Sequence, residues 1–210
     1  MEPLHANPYR SLLERVKQIP SLPAVTFYDG NERIELSYKS LDNWVSKTAN
    51  FLVEEIEVES DDSIYLDLPA HWLKVVWLLA IWATGCEVAL NREDAAYTVS
   101  NSPLEGDAIF CSLQVMGKLP EAPKGFIDFI TEVRRCGDFY APMNKLTELE
   151  YAERWQVPEG SRVLAFGSNL LPEQIAAAME SKSSIVILVS ADQMQKQAIS
   201  RAEKITYNWD

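Results

Sequence analysis

Residues Asp61 to Leu90, DDSIYLDLPAHWLKVVWLLAIWATGCEVAL, constrain this 210-residue chain more than any other stretch. A short apolar strand from Ser63 to Leu68 ends at Pro69, a helix follows, Gly85 stops it, and a second strand runs from Glu87 to Leu90. On the helix, Trp72, Val75, Val76, Trp77, Leu78, Leu79, Ile81 and Trp82 leave almost no polar face. A helix apolar all round must be covered all round, so the stretch predicts a βαβ unit inside a layered α/β domain. Its uninterrupted apolar run, Val75 to Ala83, lies between Lys74 and Glu87. That is far short of the roughly 20 residues that span a bilayer.

The same alternation extends in both directions. A helix is predicted from Pro8 to Gln18, followed by two strands around an Asp29–Gly30 turn in PAVTFYDGNERIELSY. Ser40 is placed to cap a helix whose stripe is Leu41, Trp44, Val45, Thr48, Ala49, Leu52 and Val53, with Asp42, Lys47, Glu54 and Glu55 facing water. Short strands at Ala96–Val99 and Ala108–Cys111 follow, then a Gly- and Pro-containing loop over 113–125 that includes Gly117 and Pro120. A short helix is expected around Phe126 to Arg135 and an acidic helix around Lys145 to Glu153. A second cycle then reads strand Arg162–Phe166, turn Gly167-Ser168-Asn169, helix Pro172–Glu180, strand Ser184–Val189, helix Ala191–Glu203 and a tail suited to one more strand. Repeated βαβ order implies a mostly parallel, helix-covered sheet. The division expected is a first subdomain over residues 1–140 and a shorter βαβα segment over 141–210, packed on it.

Charge and cysteine usage exclude several partner classes. The balance of 19 basic against 31 acidic residues gives a net charge of −12, which repels nucleic-acid backbones and anionic lipid. Cys86, Cys111 and Cys136 lie 25 residues apart and offer no short metal-ligand spacing, so reduced thiols and no metal are expected. The N-terminal MEPLHANPYRSLLERV lacks the apolar core of a signal peptide. These features point to a soluble, cytoplasmic protein with neither nucleic-acid nor membrane partners.

Motif order carries a family resemblance. Leu36-Ser37-Tyr38 leading to Leu41-Asp42, Asp61-Asp62-Ser63-Ile64, Leu68-Pro69, and Ala83-Thr84-Gly85-Cys86-Glu87-Val88 follow one another as in the N-terminal region of adenylate-forming enzymes. That superfamily contains the acyl-CoA synthetases and peptide-synthetase adenylation domains. Gly160-Ser161-Arg162-Val163-Leu164, Ser183 to Val189, and Arg201-Ala202-Glu203-Lys204-Ile205-Thr206 continue the series. Trp44-Val45, Lys47-Thr48-Ala49-Asn50, Thr131-Glu132-Val133-Arg134 and Gly137-Asp138 resemble, more closely, the short TIGR03089 proteins, truncated relatives of those enzymes.

The resemblance implies an acyl-CoA synthetase-like fold without the adenylation machinery. Between Pro142 and Arg162, where the family carries a Gly/Ser/Thr-rich phosphate loop ending in Lys, this chain has MNKLTELEYAERWQVPEGS. Such a loop is needed because flexible backbone N–H groups must wrap the phosphates closely. The family's later nucleotide-binding motifs and its catalytic lysine match no residue here. The expectation is therefore a chain not competent for adenylation, with no catalytic residue and no cofactor assigned. Three roles are open: binding a small acyl or nucleotide-like ligand or a protein partner, minimal acyl activation or hydrolysis with a rebuilt site, and assembly with itself or a larger synthetase.

The candidate ligand-binding residues are His71, Gly167, Ser168 and Asn169. The Gly167-Ser168-Asn169 turn joins a strand to a helix, where free N–H groups can meet an anion. The competing reading is that Ser168 or Asn169 caps the helix beginning at Pro172. His71 follows the carboxyl end of a strand, where ligands gather in open α/β sheets, or is an ordinary surface histidine starting a helix. His5 lies in a terminus expected to be flexible. Glu148, Glu150 and Glu153 read as a solvated helical face. Trp72, Trp77 and Trp82 read as core before they read as an acyl pocket, and Cys111 as a thiol with no base beside it.

Overall fold

The computed structural model describes residues 4–30, 32–104, 108–114, 121–142 and 145–209. The chain opens with β1 (Leu4–Ala6) and α1 (Pro8–Gln18), the latter capped by Asn7, whose side-chain oxygen accepts from the Arg10 N–H at 3.1 Å. β2 (Pro23–Asp29) and β3 (Glu32–Ser37) form an antiparallel hairpin. Because Asp29 pairs with Glu32, the turn centres one residue beyond the Asp29–Gly30 expectation, with Gly30 at φ +55°.

Next come α2 (Tyr38–Glu54), β4 (Ser63–Asp67), α3 (Trp72–Thr84), β5 (Glu87–Val88), β6 (Tyr97–Ser100) and β7 (Ile109–Phe110). The Ser37 hydroxyl, not Ser40, caps α2: it accepts from the Ser40 N–H at 3.1 Å. The apolar stripe of α2 is inward as expected, but two of its charges are not in water. Asp42 is buried, and half-buried Lys47 donates to the Cys136 carbonyl at 2.6 Å.

β8 (Ile127–Asp128), α4 (Phe129–Val133) and β9 (Leu149–Tyr151) precede β10 (Arg162–Phe166), α5 (Pro172–Glu180), β11 (Ser184–Leu188), α6 (Gln193–Ala202) and β12 (Tyr207–Trp209). Of the expected loop over 113–125, Gly117 and Pro120 lie outside the described residues. The expected acidic helix at 145–153 is not formed. Leu149 and Tyr151 turn inward while Glu150 faces out, a period of two, and β9 pairs antiparallel with β1. His5 therefore lies in a strand opposite Glu150, its ring nitrogen 4.0 Å from the carboxylate, rather than in a loose terminus.

The chain divides into two compact units, neither a continuous stretch. Unit 1 is Met1–Asn43, Pro69–Val75 and Glu148–Asp210; unit 2 is Trp44–Leu68 and Val76–Thr147. Unit 1 is built on a sheet of order β12-β10-β11-β2-β3, parallel except for β3, together with the β1–β9 pair. Unit 2 is built on an all-parallel sheet of order β5-β4-β6-β7-β8. Every residue of α3 from Val75 to Ala83 is fully buried, as its sequence demanded. In unit 2, Trp77 meets Phe129 at 4.5 Å and Phe51 at 6.2 Å between ring centres, so these rings are core.

Helix ends show how locally the fold is specified. α3 closes with Gly85 at φ +88°, and the Cys86 N–H reaches back to the Ile81 carbonyl at 3.1 Å. This is the six-to-one bond of a Schellman motif. α5 and α6 close the same way, but with Lys182 at φ +55° and Lys204 at φ +54° in the left-handed position. Ser183 donates to Ala178 at 2.9 Å and Ile205 to Ser200 at 2.9 Å. A side chain in that conformation is strained relative to glycine by about 1 kcal/mol. Lys204→Gly should therefore raise stability by about 0.5–1 kcal/mol, read as a higher denaturant midpoint at unchanged slope. No change, or a loss, would show that the Lys204 backbone is not strained.

Candidate functional site

The order of the unit 1 sheet creates a switch point. From β10 the chain crosses through α5 to β11 on one side, then returns through α6 to β12 on the other side of β10. Right-handed crossovers in opposite directions put α5 and α6 on opposite faces of the sheet. The turns leaving the carboxyl ends of β10 and β11 thus diverge, which is where open α/β sheets receive ligands. Gly167-Ser168-Asn169 is the turn that leaves β10.

Its geometry is set by backbone bonds. Gly167 adopts φ +113°, a region open to glycine, and a Cβ built there meets nothing within 4 Å. Its N–H donates to the Leu188 carbonyl of β11 at 3.0 Å. Ser168 and Asn169 are exposed, and neither caps α5. Leu171 takes the N-cap position, Pro172 occupies the first turn, and the Gln174 side chain accepts from the Leu171 N–H at 2.9 Å. Their side chains are therefore not consumed by the helix.

His71 is drawn to the same end of the sheet by backbone rather than by its ring. The Ala70 N–H donates to the Ser168 carbonyl at 2.9 Å, tying the turn before α3 to the turn after β10. The imidazole itself is only 6% exposed, not a surface group. It meets Phe27 of β2 edge-on at 4.4 Å between ring centres, and Nδ1 accepts from the Leu73 N–H at 3.1 Å. An N–H can only donate, so Nδ1 carries no proton and the neutral ring bears its hydrogen on Nε2. Burial pulls the imidazole down to about 4. The sequence-level candidates are thus joined through one main-chain bond, with the turn open and the histidine closed.

A polar cluster on the α6 face of the same sheet escaped the sequence reading. Arg162 at the start of β10 donates to Glu203, to the Thr26 hydroxyl at 2.8 Å and to the Ser184 hydroxyl at 3.2 Å. Glu203 also accepts from the Tyr28 hydroxyl at 2.6 Å and from Arg33 at 3.0 Å. Burial pushes this carboxyl up, and hydrogen bonds from Tyr28, Arg162 and Arg33 outweigh it, so Glu203 is held below the ordinary carboxylate range. The readable clue was the hairpin: Tyr28 faces Arg33 and Thr26 faces Glu35 across it.

The other candidates resolve into structure. Cys86, Cys111 and Cys136 are free and buried. Cys111 accepts from the Trp77 indole at 3.3 Å, and burial pushes its thiol up to about 12. Among the described residues, no group of three or more His, Cys, Asp or Glu could hold a metal ion, and no helix is long and apolar enough to cross a membrane. A cavity of about 630 Å³ in unit 1, lined by Tyr151, Val157, Glu180, Lys182 and Tyr207, opens at the amino ends of the strands, away from the switch point. One of about 500 Å³ in unit 2 lies between Ile56, Tyr97, Ile109 and Ile127.

Comparison with known proteins places this architecture. No family model matches the chain. Its fold is that of the N-terminal domain of acyl-CoA synthetases. The acyl-CoA synthetase of Brucella canis superposes with a TM-score of 0.71 at 13% identity, covering 98% of this chain and 47% of that one. The N-terminal subdomain of Klebsiella oxytoca NpsA, in complex with 3-hydroxybenzoyl-AMSN, gives 0.68 at 13%, covering 98% and 59%. The N-terminal domain of Mycobacterium tuberculosis FACL13 gives 0.66 at 10%, covering 96% and 62%. At these identities the likeness is one of fold.

Sequence similarity narrows the relation. The chain is 32% identical over 139 residues to the TIGR03089 family protein of Mycobacterium tuberculosis (strain ATCC 25618 / H37Rv). That match spans 59% of this chain and only 57% of the relative. The chain thus shares the fold of those domains and is similar in sequence, over part of its length, to a TIGR03089 protein.

The buried histidine gives a pH test. Its folded value, about 4, lies below its ordinary 6.5, so the unfolded chain binds more protons between the two. Stability from keeping His71 neutral is full above pH 6.5 and is lost as pH falls toward 4. The loss amounts to about 3 kcal/mol at about 1.36 kcal/mol per unit. His71→Gln should flatten the pH dependence of chemical denaturation between pH 6.5 and 4 relative to wild type. Parallel curves would show that the ring is protonated without penalty.

Proposed function

We propose that this protein is a non-catalytic relative of the adenylate-forming synthetases that acts by binding, with the carboxyl-end switch point of unit 1 as its ligand site. The observation that carries the reading is the Gly167-Ser168-Asn169 turn, whose exposed Ser168 and Asn169 side chains take no part in capping α5 and whose Ser168 carbonyl accepts from the Ala70 N–H. Two exposed polar side chains and a glycine at a switch point offer hydrogen bonds and close backbone approach to a ligand.

The ligand class follows from the relatives and from charge. The similar Klebsiella subdomain is in complex with 3-hydroxybenzoyl-AMSN, and another form of it with anthranilyl-AMSN. A chain with a net charge of −12 disfavours a polyphosphate unless cations are gathered for it. At 142–162, the place of the enzymes' phosphate loop, the described residues form β9 and a 3-10 turn (Glu153–Trp155) carrying acidic side chains. An acyl or aryl-acyl ligand fits better than ATP, and the protein does not adenylate it.

Calorimetric titration separates the readings. Mg-ATP and AMP should give no saturable heat up to millimolar concentration, and 3-hydroxybenzoate or octanoate should saturate a single site. The double substitution Ser168→Ala with Asn169→Ala should weaken that site about tenfold, the size of one or two lost hydrogen bonds. Micromolar, one-site binding of Mg-ATP would overturn the non-adenylating reading. Acyl binding untouched by the double substitution would move the site elsewhere.

A further inference from the structure

Among the described residues, helix α6 differs from the other long helices α1, α2, α3 and α5, each of which has buried residues. None of its residues is buried, and Met194 near its start is 80% exposed. Its apolar hold on the sheet is a thin strip: Ala191, Ile199 and Ile205, with Tyr28, lie against Leu164, Val186 and Leu188. The helix begins from the carboxyl end of β11 and ends where Thr206 is pinned to β10. There the Thr206 hydroxyl accepts from the Arg162 N–H at 2.9 Å and the Thr206 N–H donates to the Arg162 carbonyl at 2.9 Å.

Between these fixed ends, two charge-based contacts fasten it. Near its start, the Lys196 ammonium sits over the exposed Phe166 ring at 4.3 Å from its centre. At its close, Glu203 gathers Tyr28 of β2, Arg33 of β3 and Arg162 of β10. Arg33 is in turn held by Glu35 at 2.6 Å. One carboxylate on the helix thus joins three strands of the sheet. Charge-assisted bonds of this kind are worth about twice neutral ones. The apolar strip alone is too narrow to fix a helix of ten residues, because most helical stability in proteins comes from a packed face.

We infer that α6 is a latched strap, a unit that lifts from the sheet between the ends of β11 and β12 while the sheet stays intact, with Glu203 as its latch. Lifting uncovers the row Leu164, Val186 and Leu188 and frees Phe166 beside the Gly167 turn. The α5 face of the sheet is built differently: Ile175 to Met179 are buried, and α5 stays with the global fold. Low-stability units of this sort are recognised by few buried apolar contacts and by exchange independent of global unfolding.

Amide hydrogen exchange of the full chain tests this without any ligand. In the wild type, amides from Lys196 to Glu203 should exchange at least tenfold faster than those of Ile185 to Leu188 in β11. Glu203→Gln should speed α6 by about 10-fold more, the size expected from losing charge-assisted hydrogen bonds, and leave β11 unchanged. Should that variant fail to fold, Lys196→Ala serves, with about threefold acceleration confined to α6. Wild-type α6 exchanging at the rate of β11, or either variant accelerating both segments equally, overturns the inference.

Discussion

The constraint on which this structure depends is the apolarity of α3. Thirteen residues from Trp72 to Thr84 carry one charge, Lys74, and no face that water could solvate. Each large side chain buried there contributes about 1.5–3 kcal/mol that exposure would forfeit. A helix with that composition exists only where protein covers every side. In unit 2 that cover includes the Phe51 and Phe129 rings packed on Trp77. The Schellman close at Gly85 sets where the helix stops, so that β5 can begin two residues later.

Within unit 1, the α6 face of the sheet is held by polar chemistry more than by bulk. Arg162, Glu203, Arg33 and Tyr28 occupy the α6 face, where Leu164, Val186 and Leu188 give only a short apolar row. A half-buried carboxylate alone would be costly, and one bonded by two arginines and a phenol is not. The same cluster makes the α6 face separable from the α5 face, which is closed by Ile175, Ala176, Ala177, Ala178 and Met179. One sheet thus presents a permanent face and a fastened one.

Much of the fold was legible because its signals are local. The helix at Pro8–Gln18 announces itself by Asn7 and Pro8, and β10, α5 and β11 by an apolar run, a proline at the helix start and a second apolar run. The failures share a cause: they depended on partners distant in sequence. Leu149–Tyr151 became a strand because Leu4–Ala6, over a hundred residues away, offers it an edge. Asp42 and Lys47 looked solvent-facing on a helical wheel, yet Lys47 finds the Cys136 carbonyl. Packing units assembled from separate stretches of chain leave no mark on composition or on motif order, which are read along the chain.

The candidate site shows the same division between local and distant information. That Gly167-Ser168-Asn169 links a strand to a helix was readable; that neither polar residue caps α5 was not, since Leu171 and Gln174 settle the cap between themselves. His71 was rightly placed at a strand's end and wrongly given to the surface. Its ring is claimed by Phe27 of a strand 44 positions earlier, and the Leu73 N–H fixes its tautomer. The imidazole is thus a neutral ring held inside unit 1 by an aromatic contact and a backbone hydrogen bond. What the turn retains is two exposed polar side chains, Ser168 and Asn169, and a glycine with open space where a Cβ would stand. Phe166, the residue before that turn, lies under the Lys196 ammonium of α6, so the lifting of α6 inferred above changes the surface beside the turn.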